Sequence, residues 1–244
     1  MDEQIINELA GKLNDFLSEQ LPDLNMCYSG CKYNYPGIQQ TESNRLGELP
    51  AFKRQLELKR LVGDLLNGDY TNQVLNSWIV KRWGGISRFN VSDQDRIDNF
   101  ASHLNEREIE PGEFARISSL SKIASFVCPE KHFIFDSRVA FSLDGLLLEI
   151  MRERPELQVS FFPLPSARGN RSVEMRDRIR RIHPEAVYFS VSNAYMEYND
   201  LIPRLRKGVN WEQDVPAFGV EMLLFALGRK NGEIEDRMRA FDIV

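Results

Sequence analysis

Two residues of this chain combine type and spacing in a way that supports covalent chemistry. They are Lys122 and Asp136, in the stretch from Phe114 to Leu143 that reads FARISSLSKIASFVCPEKHFIFDSRVAFSL. The pattern puts the lysine at the opening of one short apolar helical face, Ile123, Ala124, Phe126 and Val127. It puts the aspartate at the opening of the next, Val139, Ala140 and Leu143. A neutral amine attacks an electrophilic carbon, and a nearby carboxylate stabilises the positive charge that develops there; held together, such groups can open a glycosidic bond. The amine must first lose its proton, so its pKa has to fall from roughly 10.4 toward about 7 to 8 through desolvation or a neighbouring cation. Arg116 and Arg138 are the candidates for that cation. Each residue also has an ordinary structural use. Ser119 or Ser121 can serve as an N-cap with Lys122 a solvated first-turn residue, and Asp136 can cap the following helix because its carboxylate meets unpaired amides at the positive end of the dipole.

The elements that must position this pair read as mainly helical. Ile5, Ile6, Leu9, Leu13, Phe16 and Leu17 recur at helical spacing, and Pro22 is expected to close that helix. From Asn25 to Pro50 the chain is rich in Asn, Gly, Tyr, Ser and Pro and reads as a long loop; its Tyr28, Tyr33 and Tyr35 either stack on an unpaired base or staple the loop to the core. Helices follow over Phe52 to Leu66, over Thr71 to Trp83 and over Ser92 to Leu104. Gly84-Gly85 after Trp83 reads as a C-cap rather than a phosphate contact. Pro111-Gly112 breaks the chain, so Glu113 to Ile117 should form a further short helix. A helix continues past Leu143 to about Arg152, Leu157 to Phe162 is apolar without clear type, and helices are expected over Arg171 to Ile182, Ala186 to Leu205 and Val220 to Leu227, the last with Gly228 as its cap. No repeat or clean interdomain linker interrupts residues 1–244, which read as a single helical domain.

The segment around Lys122 resembles the signature of the helix-hairpin-helix DNA glycosylases, and especially the 8-oxoguanine DNA glycosylase group. That signature has a Leu-Pro-Gly-Val-Gly hairpin, then Lys-Val-Ala, then Val-Asp-x-x-Val. Here Ser119-Leu120-Ser121 takes the place of the hairpin, Lys122-Ile123-Ala124 that of Lys-Val-Ala, and Phe135-Asp136-Ser137-Arg138-Val139 that of the aspartate run. The resemblance covers about thirty residues closely. It implies a two-lobed, glycosylase-like helical fold, a helix-hairpin-helix motif at about 113–127, and excision of a damaged or modified base of the 8-oxoguanine type from double-stranded DNA. Lys122 would be the nucleophile, with a Schiff base and possible strand nicking, and Asp136 would stabilise charge and shuttle protons. Ser119, Ser121 and Arg138 would contact DNA. The family's carboxy-terminal helix helps line the pocket for the extruded base, and Phe218 and Glu221 stand in that part of the chain. The hairpin glycines, which let backbone amides approach a phosphate, are replaced by serines. The spacing from Lys122 to Asp136 is shorter than the family's. His132, four residues before Asp136, either assists proton transfer or is a partly buried structural residue.

Composition frames these readings. With 244 residues, 42% of them hydrophobic, the chain can bury a full core. A net charge of −5 excludes a uniformly basic nucleic-acid binder, so contact with DNA requires a local patch. From Ala167 to His183, Arg168, Arg171, Arg176, Arg178, Arg180 and Arg181 stand against Glu174 and Asp177, a local +4. Such a run is either a solvated helix face or a phosphate-tracking surface, with Arg168 and Arg171 nearest the Pro163, Pro165 and Gly169 loop. Three cysteines, Cys27, Cys31 and Cys128, cannot close a disulfide framework or hold an iron–sulfur cluster, and His103, His132 and His183 are too scattered to complete a site with Cys27 and Cys31. No metal and no cofactor are expected. No signal peptide or membrane span is evident, so the chain reads as soluble, cytoplasmic and monomeric. Two further function classes stay open: a catalytically inactive DNA-binding module with the same fold, and a helical protein-interaction protein.

Overall fold

The computed structural model describes residues 1–28, 37–89, 94–165, 171–229 and 234, without the side chains of 19–23, 25–28 and 171–173. Within them the chain is mainly helical. The helices are α1 (Glu3–Tyr28), α2 (Gln40–Glu48), α3 (Ala51–Leu66), α4 (Gln73–Ser77), α5 (Gln94–Glu106), α6 (Pro111–Phe114), α7 (Ile117–Val127), α8 (Ser137–Glu153), α9 (Arg171–Ile182), α10 (Val191–Gly208) and α11 (Phe218–Leu227). A π-helical turn, Trp78–Trp83, continues α4, and two short parallel strands, β1 (Ser160–Phe161) and β2 (Val187–Tyr188), pair with each other.

The centre of the core is α8. Every residue from Val139 to Ile150 on it is buried, so this helix has no solvent face and must be covered on all sides. α1, α9, α11 and β1 supply the cover. α11 is nearly as apolar, with Phe218 to Leu224 buried throughout, and it runs along α8 as the most extensive helix contact of the fold. The two helices meet closely where α11 ends. A Cβ on Gly228 would stand 2.2 Å from the Arg138 carbonyl oxygen, so glycine is required there for close approach, its φ of −79° being ordinary. α1 packs on α3 and α10, and α3 packs on α7.

Several boundaries differ from those expected. α1 runs through Pro22 to Tyr28, because a lone proline removes one hydrogen bond from a long helix whose other face is anchored by Leu9, Leu13, Phe16 and Leu17. The long loop after Asn25 contains α2, which buries Leu46, while Tyr33 and Tyr35 lie outside the described residues. The helix expected from Ala186 begins at Val191. The preceding Val187 and Tyr188, a β-branched and an aromatic residue, pair with Ser160 and Phe161 instead.

Candidate active site

α7 determines where the amine sits. Expected to begin around Ser121, it begins at Ile117, because Ile117 and Leu120 are both fully buried and form its first apolar turn; α6 precedes it across Ala115 and Arg116. Lys122 is therefore in the middle of α7 and not at its start. Ser119 is 8% exposed and Ser121 fully buried, so the expected DNA contact from Ser121 is corrected: its hydroxyl is used inside the protein. The flexible lysine side chain donates from Nζ to the Ser118 carbonyl one turn earlier, at 2.9 Å, and to Asp136 Oδ2 at 3.2 Å. Lys122 is 5% exposed and Asp136 8%.

Asp136 uses a different oxygen for each of two contacts, one capping the helix as expected and one facing Lys122. Oδ1 accepts from the amides of Arg138 and Val139 at 3.0 and 3.2 Å and caps α8; Oδ2 faces the amine of Lys122. The cap fixes the carboxylate in direction, so the oxygen turned to Lys122 cannot rotate away without releasing two amides.

The segment just before Asp136 belongs to no helix and pairs with no strand among the described residues, and side chains from three helices take up its backbone groups. The amide of Phe133 donates to Asn199 Oδ1 at 2.9 Å and its carbonyl accepts from the Tyr195 hydroxyl at 3.1 Å, both from α10. The amide of Ile134 donates to Glu221 Oε2 of α11 at 2.8 Å. The amide of Phe135 donates to Ser121 Oγ of α7 at 3.0 Å, and that hydroxyl donates back to the Phe135 carbonyl at 3.4 Å. A buried amide without a partner is costly, so each of these side chains fixes the strap and through it the aspartate. Phe135 itself is fully buried among Phe114, Phe162 and Tyr198, the last with ring centroids 5.0 Å apart.

The wall behind the lysine stem comes from the π-helical turn. Trp83 meets Phe126 edge to face, with centroids 4.9 Å apart, and donates from Nε1 to Gln55 at 2.9 Å. Gly84 follows. A Cβ there would stand 2.7 Å from Lys122 Cδ and 3.0 Å from the carbonyl oxygens of Ile79 and Val80, so this glycine makes room for the lysine.

A second buried ion pair adjoins the first. Lys59 Nζ on α3 lies 2.7 Å from Glu221 Oε2, both residues 2% exposed, and 4.8 Å from the Phe218 ring centroid. Burial lowers the proton affinity of Lys59 and raises that of Glu221, with each opposing the shift in the other, and the Lys122 charge lowers both. Lys59 is thus a buried cation on which the Lys122 charge acts. Arg116 and Arg138, the expected candidates, are exposed, and Arg138 lies over the Phe225 ring at 4.7 Å. The signal for the second pair was in the sequence: Lys59 occupies a position of the apolar stripe Phe52, Leu56, Val62 and Leu66, and Glu221 interrupts an otherwise apolar helix.

The remaining candidates fall elsewhere. His132 is half-buried, its Nδ1 has no hydrogen-bond partner, and burial lowers its pKa to about 4. Arg171 opens α9, but its side chain is outside the described part, as is the whole of Arg168; Arg176, Arg180 and Arg181 are exposed on α9, which packs on α8. Among the described residues no group of His, Cys, Asp and Glu is placed to hold a metal ion, and no helix is long and apolar enough to cross a membrane. No protein-family model matches the chain, and no curated protein or solved structure matches it either.

Proposed function

We propose that this protein is a DNA glycosylase of the helix-hairpin-helix type that excises a damaged or modified base, with 8-oxoguanine as the first candidate. The observation that carries this reading is the convergence of the Lys122 amine and an Asp136 carboxylate oxygen at 3.2 Å, from two helices and across fourteen residues of sequence. The motif would comprise α6, the turn at Ala115 and Arg116, and α7. Exposed Arg138 at the start of α8 and the exposed arginines of α9 would supply the local positive charge that a chain of net charge −5 needs to approach a phosphate backbone.

In the reaction, the target nucleotide leaves the duplex, at a cost of a few kcal/mol, so that its sugar reaches the amine. Lys122 reacts as the neutral amine, having given its proton to Asp136. Its lone pair forms the bond to C1′ while the bond from C1′ to the base breaks, the electron pair leaving with the base, which takes up a proton. Asp136 passes the proton it took from Lys122 to the departing base and, ionised again, stabilises the positive charge on the sugar. Opening of the sugar ring gives an imine between Lys122 and C1′, from which loss of a C2′ proton expels the 3′ phosphate and nicks the strand.

The test is base release from a duplex carrying a single 8-oxoguanine, with other modified bases in parallel. Released base together with a nicked strand supports the reading, and Lys122→Gln and Asp136→Asn should each abolish it. Released base with an intact, alkali-labile strand would assign the chemistry to Asp136 and a water molecule. Binding of duplex with a steep salt dependence and no base released from any substrate would point to the inactive binding module. Absence of both activity and duplex affinity would leave the protein-interaction reading.

A further inference from the structure

We propose that Lys81 and Arg82 of the π-helical turn, with Arg88 just after it and Arg116 between α6 and α7, form a phosphate-binding rim that seats a strand of duplex DNA over the Lys122–Asp136 pair. The inference rests on the reading of the protein as one that acts on DNA, but its test is binding and needs no base release.

The sequence of the turn supplies the charge. From Trp78 to Phe89 the chain holds Lys81, Arg82 and Arg88 and no aspartate or glutamate, in a protein whose net charge is −5. Arg82, Arg88 and Arg116 are exposed and Lys81 is half-buried. Elsewhere on the surface cations are matched: Arg45, Lys53, Arg107, Arg154 and Arg204 each lie on a carboxylate. Among the described residues the four cations of the rim have no such partner. Glu113, three residues before Arg116, is buried and turned onto His103 at 2.8 Å. Cations gathered without acids raise the local potential and draw in a polyanion.

Contacts at the buried pair place these cations around it. Gly84, two residues after Arg82, is where a Cβ would stand 2.7 Å from Lys122 Cδ. Arg116 is two residues before Ser118, whose carbonyl accepts from Lys122 Nζ at 2.9 Å. From α8, exposed Arg138 donates its amide to Asp136 Oδ1 at 3.0 Å. Long cationic side chains carry their charge outward from such positions into solvent. The turn is held in shape: the Gly84 amide donates to the Ile79 carbonyl at 2.8 Å, the Ile86 amide to the Val80 carbonyl at 3.0 Å, and Gly85, at a φ of 68°, reverses the chain. A π-helical turn is rare and recurs at functional sites. Here Trp83 faces inward on Phe126 and Gln55 while Arg82 beside it stays exposed. A sugar that reaches Lys122 has a phosphate on each side along its strand, and cations from two elements beside the amine match that pair of anions.

The rim is tested by binding of an undamaged duplex, read by fluorescence anisotropy over a range of potassium chloride concentrations. Each phosphate contact contributes roughly 0.9 to the slope of log affinity against log salt, so Lys81→Gln/Arg82→Gln should lower the slope by about 2 and weaken binding at least about tenfold at low salt. Damaged and undamaged duplexes should lose affinity alike, since phosphate contacts carry no sequence information. The control Lys53→Gln/Lys207→Gln removes the same charge from exposed positions outside the rim and should keep the wild-type slope. Should Lys81→Gln/Arg82→Gln fail to fold, Arg88→Gln/Arg116→Gln leaves the π-helical turn itself intact and should lower the slope by about as much. A wild-type slope in the folded rim variant, an equal loss in the control, or no duplex binding by the wild-type protein would overturn the proposal. Affinity lost in the rim variant, with no base released from any duplex by the wild type, would keep the rim and remove the glycosylase reading. Base release together with an undiminished slope in the rim variant would do the reverse.

Discussion

α8 carries two aspartates, eight residues apart, and the fold treats them in opposite ways. Asp136 stands at the mouth of the helix, with one oxygen holding two amides and the other facing the Lys122 amine. Asp144 lies fully buried in the middle. Its Oδ1 accepts from the Phe162 amide at 2.8 Å, its Oδ2 has no hydrogen-bond partner among the described residues, and burial holds its carboxyl well above the usual carboxylate range. The difference separates a carboxylate paired with an amine from one that anchors a neighbouring segment. Burial alone does not mark a functional acid.

This contrast is open to attack at several points. The largest expected effect is on activity. Asp136→Asn should lower base release by at least about a hundredfold, whereas Asp144→Asn should leave it within about twofold, measured as single-turnover rates on the same duplex. Equal losses in the two variants would erase the distinction.

Next in size is a dependence on pH from His132. Its folded pKa of about 4 lies below the unfolded value near 6.5, so the unfolded chain binds the proton more readily between those limits. Stability is therefore full above about pH 6.5 and is lost as pH falls toward 4, by up to about 3 kcal/mol from this group. Denaturant melts of His132→Asn should lack that part of the slope.

Smaller effects test the frame of the site. Gly84→Ala should cost about 1 to 3 kcal/mol, since the added carbon meets the lysine stem and two carbonyl oxygens, and it should shift the Lys122 resonances while leaving those of α9 in place. Ser121→Ala should cost about 1 to 2 kcal/mol by leaving the Phe135 amide unpaired, and that amide should exchange faster with solvent. The smallest change is on the other aspartate and has the opposite sign. Because Asp144 holds its proton in the folded state above the pH at which the unfolded chain releases it, its contribution falls as pH rises. Asp144→Asn should raise the melting temperature slightly, more at pH 8 than at pH 5.

Much of the frame was legible in the sequence. The cap at Asp136, the extents of α3, α8 and α9, and the final apolar helix follow from periodicity and capping residues. The pairing of Lys122 with Asp136 was expected from the resemblance of the segment to the glycosylase signature, since each residue alone reads as an ordinary helix-start residue. The position of Lys122 within its helix was not read correctly, because three serines between Ile117 and Ile123 resemble a capping run, while in the fold they lie inside α7, the Ser118 carbonyl accepting from Lys122 and Ser121 tying the helix to the strap. The role of Gly84 was missed because a glycine after a helix is ordinarily a cap, and its approach to Lys122 exists only once α7 is packed against the π-helical turn. Lys59 and Glu221 are separated by 162 residues, and each alone reads as an imperfection in an apolar stripe. Only the tertiary fold shows that the two imperfections meet.

The most direct test of the central claim is reduction with borohydride during reaction with a duplex containing 8-oxoguanine, followed by mapping of the protein–DNA adduct by mass spectrometry. The account predicts a covalent adduct on Lys122 that is absent in Lys122→Gln and strongly diminished in Asp136→Asn. An adduct mapped to another lysine, or none on Lys122 while base is being released, would contradict it.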